Sequence, residues 1–429
     1  MRAVLALLLL VSVQGCSSGA NRGDRPKNLV FICVDTLRSD FLGAYGADPS
    51  NSPNLDAFAA ESIVFDNAHS HASWTLPSFA SVLTSLYSST HGCWDFNSRL
   101  SADFETLVEV FQAAGFETHG VASHVYFNEE YGLQQGFDSF DDELAKKRTE
   151  GGWVQITSPK VTEKAESWLQ AKSFDSNPFL LWVHYFDPHV PYLPHGAANL
   201  EEAQATPAIA AYKSEIRFTD EYVGRLLQTL KDEGHAEDTV VVFLSDHGEA
   251  FGEHPGIEKH SYSLYGEEIR IPLMMRVPGL APRRVPGFVR NVDLRPTLLE
   301  LFGLKPKNKY TTGVDLRGAM EGADHTSPAL VSEIRLKQGH HTNALLDGRW
   351  KLIENVSRGG YELYDLEVDP GEQRDLVGER PEVVERLGKE LRERIAVAEM
   401  LSRKFEGGGE PNLTPEEVEH LKEIGYGGD

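Results

Sequence analysis

The sequence predicts an α/β fold, a mixed and mainly parallel sheet flanked by helices, with a smaller antiparallel subdomain at its C-terminal side. Three observations carry this. Residues 28–34, 178–185 and 238–244 are near-continuous apolar runs, as strands covered on both faces require. Stretches of helical periodicity separate them, the alternation that builds parallel sheets. Beyond residue 310 the texture changes to short extended pieces near 329–333, 343–346, 350–353 and 362–364, divided by turns.

In chain order, the first apolar run ends in Asp35-Thr36-Leu37-Arg38, placing a carboxylate where open α/β sheets put their ligands. Residues 55–60 read as helix and 63–65 as strand. Thr75 precedes Pro77, and Phe79, Val82, Leu83 and Leu86 recur at helical spacing, so a helix is expected from about 76 to 87. Thr75 then lies at or beside its N-cap, where free N–H groups and the helix dipole favour an anion. It is either a cap or a nucleophile toward a tetrahedral oxyanion ester. Residues 104–111 read as helix, 118–123 as strand, 138–152 as a charged surface excursion and 161–169 as helix.

The second apolar run ends in Phe186-Asp187-Pro188-His189-Val190-Pro191, a stiff loop holding an imidazole just past a strand. A long amphipathic helix follows over 209–230, with Tyr212, Ile216, Val223, Leu227 and Leu230 near one face. The third run ends in Ser245-Asp246-His247-Gly248-Glu249. A loop rich in titratable groups spans 252–260 and leads to a strand at 271–277. A helix over 291–302 is closed by Gly303, and a charged helix is expected near 383–399. One aspartate at a strand end is unremarkable. Asp35, Asp187/His189 and Asp246/His247 at three strand ends point to a metal or phosphate-like site.

Composition bounds the partners. The 429 residues carry 41 basic and 65 acidic side chains, a net charge of −24, which argues against nucleic acid. An anionic substrate would need locally placed positive charge. Arg2 followed by the apolar residues 3–11, then Gly15-Cys16-Ser17, reads as a processing signal too short to span a membrane. It resembles a bacterial lipoprotein signal that leaves Cys16 as a lipidated membrane anchor, and the alternative is an ordinary secretory signal. The lipoprotein reading places the protein in the cell envelope. Of the remaining cysteines, Cys33 reads as a buried thiol, and a Cys33–Cys93 disulfide stays open.

Several phrases resemble the sulfatase family, within the alkaline phosphatase superfamily. They are Val34-Asp35-Thr36-Leu37-Arg38, Phe186-Asp187-Pro188-His189, Ser245-Asp246-His247-Gly248, Asp293-Leu294-Arg295-Pro296-Thr297, and Glu362-Leu363-Tyr364-Asp365-Leu366 with Asp369-Pro370. The likeness extends from about residue 28 to 426. It divides the chain into a signal (1–15), a tether (16–27), a sulfatase-like catalytic domain (28–310), a C-terminal subdomain (311–405) and a tail (406–429).

The resemblance implies that Asp35, Asp246 and His247 bind one divalent cation (calcium, manganese or zinc). It also implies that His189 contacts the ester, and that His260 or Lys259 protonates the leaving group. A typical sulfatase has Cys or Ser two residues before the proline, oxidised to formylglycine, and Arg two residues after it. Here Thr75 and Phe79 take those places. Threonine would oxidise to a ketone, so no formylglycine is expected. The family's Lys and His after the strand near residue 120 are replaced by about Ser123 and Val125. Threonine nucleophiles resemble those of superfamily phosphodiesterases and phospho-headgroup transferases. The leading expectation is a metal-dependent hydrolase of a sulfated or phosphorylated glycan, lipid or small molecule, with Thr75 as nucleophile. The alternatives are headgroup transfer at the envelope and a non-catalytic, metal-stabilised binding lipoprotein.

Overall fold

The structure, a computed structural model, describes residues 25–146, 148–149, 152–153, 156–172, 177–195, 204–325, 327–337 and 339–423. The processing signal and Cys16 lie outside them. Among the described residues no helix is long and apolar enough to cross a membrane.

Among the described residues, nine strands form the main sheet: β1 (Asn28–Val34), β2 (Ile63–His69), β3 (Glu117–Ala122), β4 (Ser139–Asp141), β5 (Phe179–Tyr185), β6 (Thr239–Leu244), β7 (Arg270–Ile271), β8 (Leu273–Arg276) and β9 (Arg283–Arg290). Their order is β7-β2-β8-β6-β1-β5-β3-β4, with β9 pairing β2 in parallel. Strands β6, β1, β5, β3 and β4 run parallel, and β8 reverses direction against β6. The three apolar runs of the sequence are therefore neighbours at the centre of the sheet, and all three end on the same side.

Alternation along each central strand feeds two cores. Leu29, Phe31 and Cys33 of β1 join one, with Leu180 and Trp182 of β5 and Val240, Val242 and Leu244 of β6. Val30, Ile32 and Val34 join the other, with Leu181, Val183, Val241 and Phe243. On the first face pack α2 (Thr75–Thr84), α3 (Leu107–Ala113) and α6 (Leu294–Phe302); on the second pack α1 (Pro53–Ala60), α4 (Ser158–Gln170) and α5 (Pro207–Asp232). In α5 the buried stripe contains Leu226, while Leu227 is half-buried. A capping box between Thr106 and Glu109 starts α3 later than periodicity suggested. Ser85, at φ 60°, ends α2 three residues before the predicted stop.

The small sheet is antiparallel, β10 (Leu330–Arg335), β11 (His341–Leu346), β12 (Trp350–Asn355) and β13 (Tyr361–Asp365), and is covered by α7 (Pro381–Ser402). Two strands of the main sheet carry no clear signature in the sequence. β4 occupies the sheet edge inside the expected surface excursion. β9 is interrupted by Pro286 and Gly287, and its register slips between Val285 and Phe288. The single strand expected at 271–277 is divided by Pro272 into β7 and β8. Cys33 and Cys93 are both buried free thiols, so the disulfide option falls.

Candidate active site

Asp35 follows β1, and its N–H donates to Tyr185 O at 2.9 Å, prolonging the parallel ladder by one residue. Thr36 then turns sharply, at φ 53°. Asp246 and His247 follow β6. Leu37 N–H donates to Ser245 Oγ (2.9 Å), which in turn donates to His247 O (2.6 Å), lacing the two strand ends together. Tyr212 of α5 donates to Thr36 O at 2.7 Å from below.

Thr75 is the first residue of α2, with extended Trp74 as its N-cap, so its hydroxyl does not cap the helix. Instead Thr75 Oγ1 lies 3.3 Å from His247 Nε2. His247 Nδ1 donates to Gly248 O (2.9 Å), which fixes the tautomer and turns the Nε2 lone pair inward. That same Nε2 stands 3.6 Å from Asp35 Oδ1 and 3.5 Å from Asp246 Oδ2. Helix α2 is tied to the strand end by Ser78 Oγ, which donates to Asp246 O at 2.8 Å.

The loop before Thr75 is held from both sheets. Ser70 N–H donates to Ile269 O, and His71 N–H to Asn291 Oδ1. His71 Nε2 accepts from Ser88 N–H, so its Nδ1 carries the hydrogen and donates to Val331 O of β10 at 2.6 Å. Glu333 N–H returns a bond to His71 O, and Ser332 Oγ donates to Ser70 O. Burial holds the His71 pKa down at about 4.

Two histidines that sequence reasoning passed over join the cluster. His184 of β5 sits opposite Cys33 in register, and its Nε2 is 3.5 Å from Asp35 Oδ2. His124, just past β3, brings Nε2 to 3.9 Å from the same oxygen. The positions expected to matter there do other work: Ser123 Oγ donates to His184 O, and Val125 is core. His260 donates from Nδ1 to Glu249 Oε1 (3.1 Å) and lies 4.7 Å from the His247 ring and 4.8 Å from that of His189. His189 donates from Nδ1 to Val190 O (2.7 Å) and stacks on Phe186. Asp35, Thr75, His124, His184, Asp246 and His247 are fully buried, and His260 is 5% exposed.

Other expected candidates fall outside. Lys259 is exposed, at φ 70° on a two-residue strand, so of the two acids offered only His260 meets the cluster. Asp187 points to the start of α4, accepting from Thr157 and Ser158 backbone and hydroxyl groups at 2.7–2.9 Å. Phe79 fills an aromatic box, 5.0 Å from Phe127 and 5.4 Å from both Trp182 and His184.

The donor set fits a cation. Neither oxygen of Asp35, nor Asp246 Oδ2, nor either nitrogen of His184 has a hydrogen-bond partner, though all are buried. Burial, then the neighbouring Asp246, holds the Asp35 carboxyl well above the usual carboxylate range. Burial pushes His184 down to about 4. Ligand atoms of Asp35, His184 and Asp246 lie within 4.8 Å of one another, a spacing one ion can bridge.

Comparison with known proteins identifies the family. The family model "Sulfatase" covers residues 27–304, and "N-sulphoglucosamine sulphohydrolase, C-terminal" covers 252–399. The chain is 26% identical to an ulvan-active sulfatase of Formosa agariphila, over 88% of this chain and 83% of the relative. It is 23% identical to choline-sulfatase of Rhizobium meliloti, over 81% and 82%. Its fold superposes on phosphonate monoester hydrolase of Agrobacterium radiobacter with a TM-score of 0.72, at 21% identity, covering 88% of this chain and 96% of that one. With the family model spanning well over half of its length, the chain belongs to the sulfatase family of hydrolases.

Proposed function

We propose that this protein is a metal-dependent hydrolase of anionic tetrahedral esters in which Thr75 is the nucleophile, with phosphate-type esters favoured over sulfates. The observation that carries the reading is the buried Thr75 hydroxyl, 3.3 Å from His247 Nε2, a nitrogen that also stands 3.5–3.6 Å from two buried carboxylates, three of whose four oxygen atoms have no hydrogen-bond partner. Asp35, Asp246 and His247 would hold a divalent ion. When bound, that ion supplies charge neutralisation of the ester and lowers the pKa of a hydroxyl beside it.

The chain's own groups account for the rest. Thr75 gives its hydroxyl proton to water as Oγ1 forms a bond to phosphorus and the ester P–O bond breaks; the departing alkoxide takes a proton from His260, which water then replaces, while His189 contacts the ester. The α2 N-terminus directs backbone N–H groups at the anion. Water then attacks the phosphothreonine, releasing inorganic phosphate or a monoester and restoring the hydroxyl. Relatives named for ulvan and choline sulfate make a glycan or a small alcohol the first substrates to try. The proposal includes a lipid anchor at Cys16 and residence in the cell envelope; Cys16→Ser should release the protein from membranes.

The test is intact mass after exposure to p-nitrophenyl phosphodiesters, phosphonates and sulfates. A phosphoryl adduct on Thr75 and nitrophenol release, both lost in Thr75→Ala, are expected. Turnover undiminished in Thr75→Ala would overturn the nucleophile. Absence of turnover and adduct in wild-type protein loaded with each of calcium, manganese and zinc would favour the non-catalytic alternative.

A further inference from the structure

We propose that His184 ligates the same cation as Asp35, Asp246 and His247, making a centre of two carboxylates and two imidazoles that selects a first-row transition ion such as Zn²⁺, Co²⁺ or Mn²⁺ over Ca²⁺. This deepens the metal-dependent reading above and rests on it.

The placement follows from strand register. His184 pairs with Cys33 across the parallel β1–β5 ladder, and residues paired this way present side chains to the same face. Asp35, two residues beyond Cys33, lies on that face too. His184 is thereby delivered to the carboxylate by the rigid centre of the sheet rather than by a loop. Its ring is held by packing: Phe79 meets it edge-on at 5.4 Å, and Phe127 lies at 5.0 Å.

Neither ring nitrogen has a hydrogen-bond partner and the side chain has no solvent exposure, an arrangement that is costly unless a ligand completes it. The separations also suit coordination. His184 Nε2–Asp35 Oδ2, His247 Nε2–Asp246 Oδ2 and His247 Nε2–Asp35 Oδ1 measure 3.5, 3.5 and 3.6 Å. These are long for charge-assisted hydrogen bonds, yet each is near the about 3.3–3.4 Å between two ligands of one ion with bonds of about 2.0–2.1 Å, Asp35 offering Oδ2 on the His184 side and Oδ1 on the His247 side. Two imidazoles in the donor set favour a borderline ion, whereas calcium takes six to eight oxygen atoms. His124, at 3.9 Å from Asp35 Oδ2, is the competitor that the experiment must separate.

The test uses protein stripped by a chelator, labelled with ¹⁵N-histidine and titrated with Co²⁺ against a chromophoric competitor. The wild type should bind one Co²⁺ with two hyperfine-shifted imidazoles, and should keep it in excess Ca²⁺. His184→Phe and His184→Asn should lose one imidazole signal and about 100-fold or more in affinity, while His124→Gln keeps both signals. Folded His184 variants with wild-type affinity and both signals would overturn the assignment, as would a single shifted imidazole in the wild type or ready displacement by Ca²⁺. Loss of the ion in Asp35→Asn but not in the His184 variants sinks only this inference. A wild type that binds no ion sinks the metal-dependent function as well.

Discussion

Replacing Asp35 with Asn should stabilise the protein without metal and destabilise it with metal. The two carboxylates bring oxygen atoms within 4.8 Å of each other. At an effective dielectric of about 20, two like charges at that distance repel by about 3.5 kcal/mol. Asp35 accepts no side-chain hydrogen bond that would offset its desolvation, whereas Asp246 Oδ1 receives His247 N–H at 3.0 Å. Asparagine keeps the shape, removes one charge and offers an N–H toward the unpartnered Asp246 Oδ2.

In a chelator at pH 8, Asp35→Asn should therefore be more stable by about 3 kcal/mol, a shift of several degrees in Tm. With a transition ion present at a thousand times its Kd, the wild type gains about 4 kcal/mol by mass action and the order reverses. Scanning calorimetry with and without the ion reads both arms. A variant less stable than wild type under both conditions would refute the reasoning, because the carboxylate would then be a satisfied structural group.

Three further outcomes are expected. Thr75→Val, nearly isosteric, should lower kcat/KM by about 10³-fold or more, equivalent to about 4 kcal/mol of transition-state stabilisation, with Tm nearly unchanged; Thr75→Ser should keep the covalent adduct. Burial raises Glu333 to a pKa of about 7 from an ordinary 4.5, so its folded form favours the proton. Stability from this group is full below pH 4.5 and is lost as pH rises through 7, by up to about 3 kcal/mol; Glu333→Gln should flatten urea-unfolding free energies across that window. Phe79→Ala should cost about 3–5 kcal/mol by opening a cavity among Phe127, Trp182 and His184; a cost below 1 kcal/mol in urea unfolding would mean that this box is not a rigid part of the core.

What could be read beforehand was whatever has a local signature. Central strands announce themselves as apolar runs, so Asp35, Asp246 and His247 could be named from their positions just beyond those runs, and the four strands of the small sheet emerged from turn spacing. Thr75 was placed beside a helix start because Pro77 and the stripe after it are local. His184 was invisible for the opposite reason. Inside an apolar strand one histidine looks like a core residue, and its approach to Asp35 exists only once β1 and β5 are paired in register. His124, between Ser123 and Val125, has no local signature either, because its approach to Asp35 exists only once β3 is docked beside β5. Strand β9 was missed because a proline, a glycine and a bulge erase its alternation. Lys259 and His260 are adjacent in sequence, and only the backbone turn at Lys259 decides which faces inward.

The stapling of the Thr75 loop to β10 has a consequence for how the protein is made. Val331, Ser332 and Glu333 hold His71 and Ser70 from more than 250 positions downstream. A nascent chain that has emerged only through α6 carries every residue of the acidic and imidazole cluster, and the bonds to Ile269, Asn291 and Asp246, yet the segment bearing the alcohol still lacks its anchors on β10. Assembly of the last third therefore acts as a built-in delay. The bracing of the reactive arrangement is completed only once β10 has been made, and a product truncated before it would lack the bonds from Val331, Ser332 and Glu333.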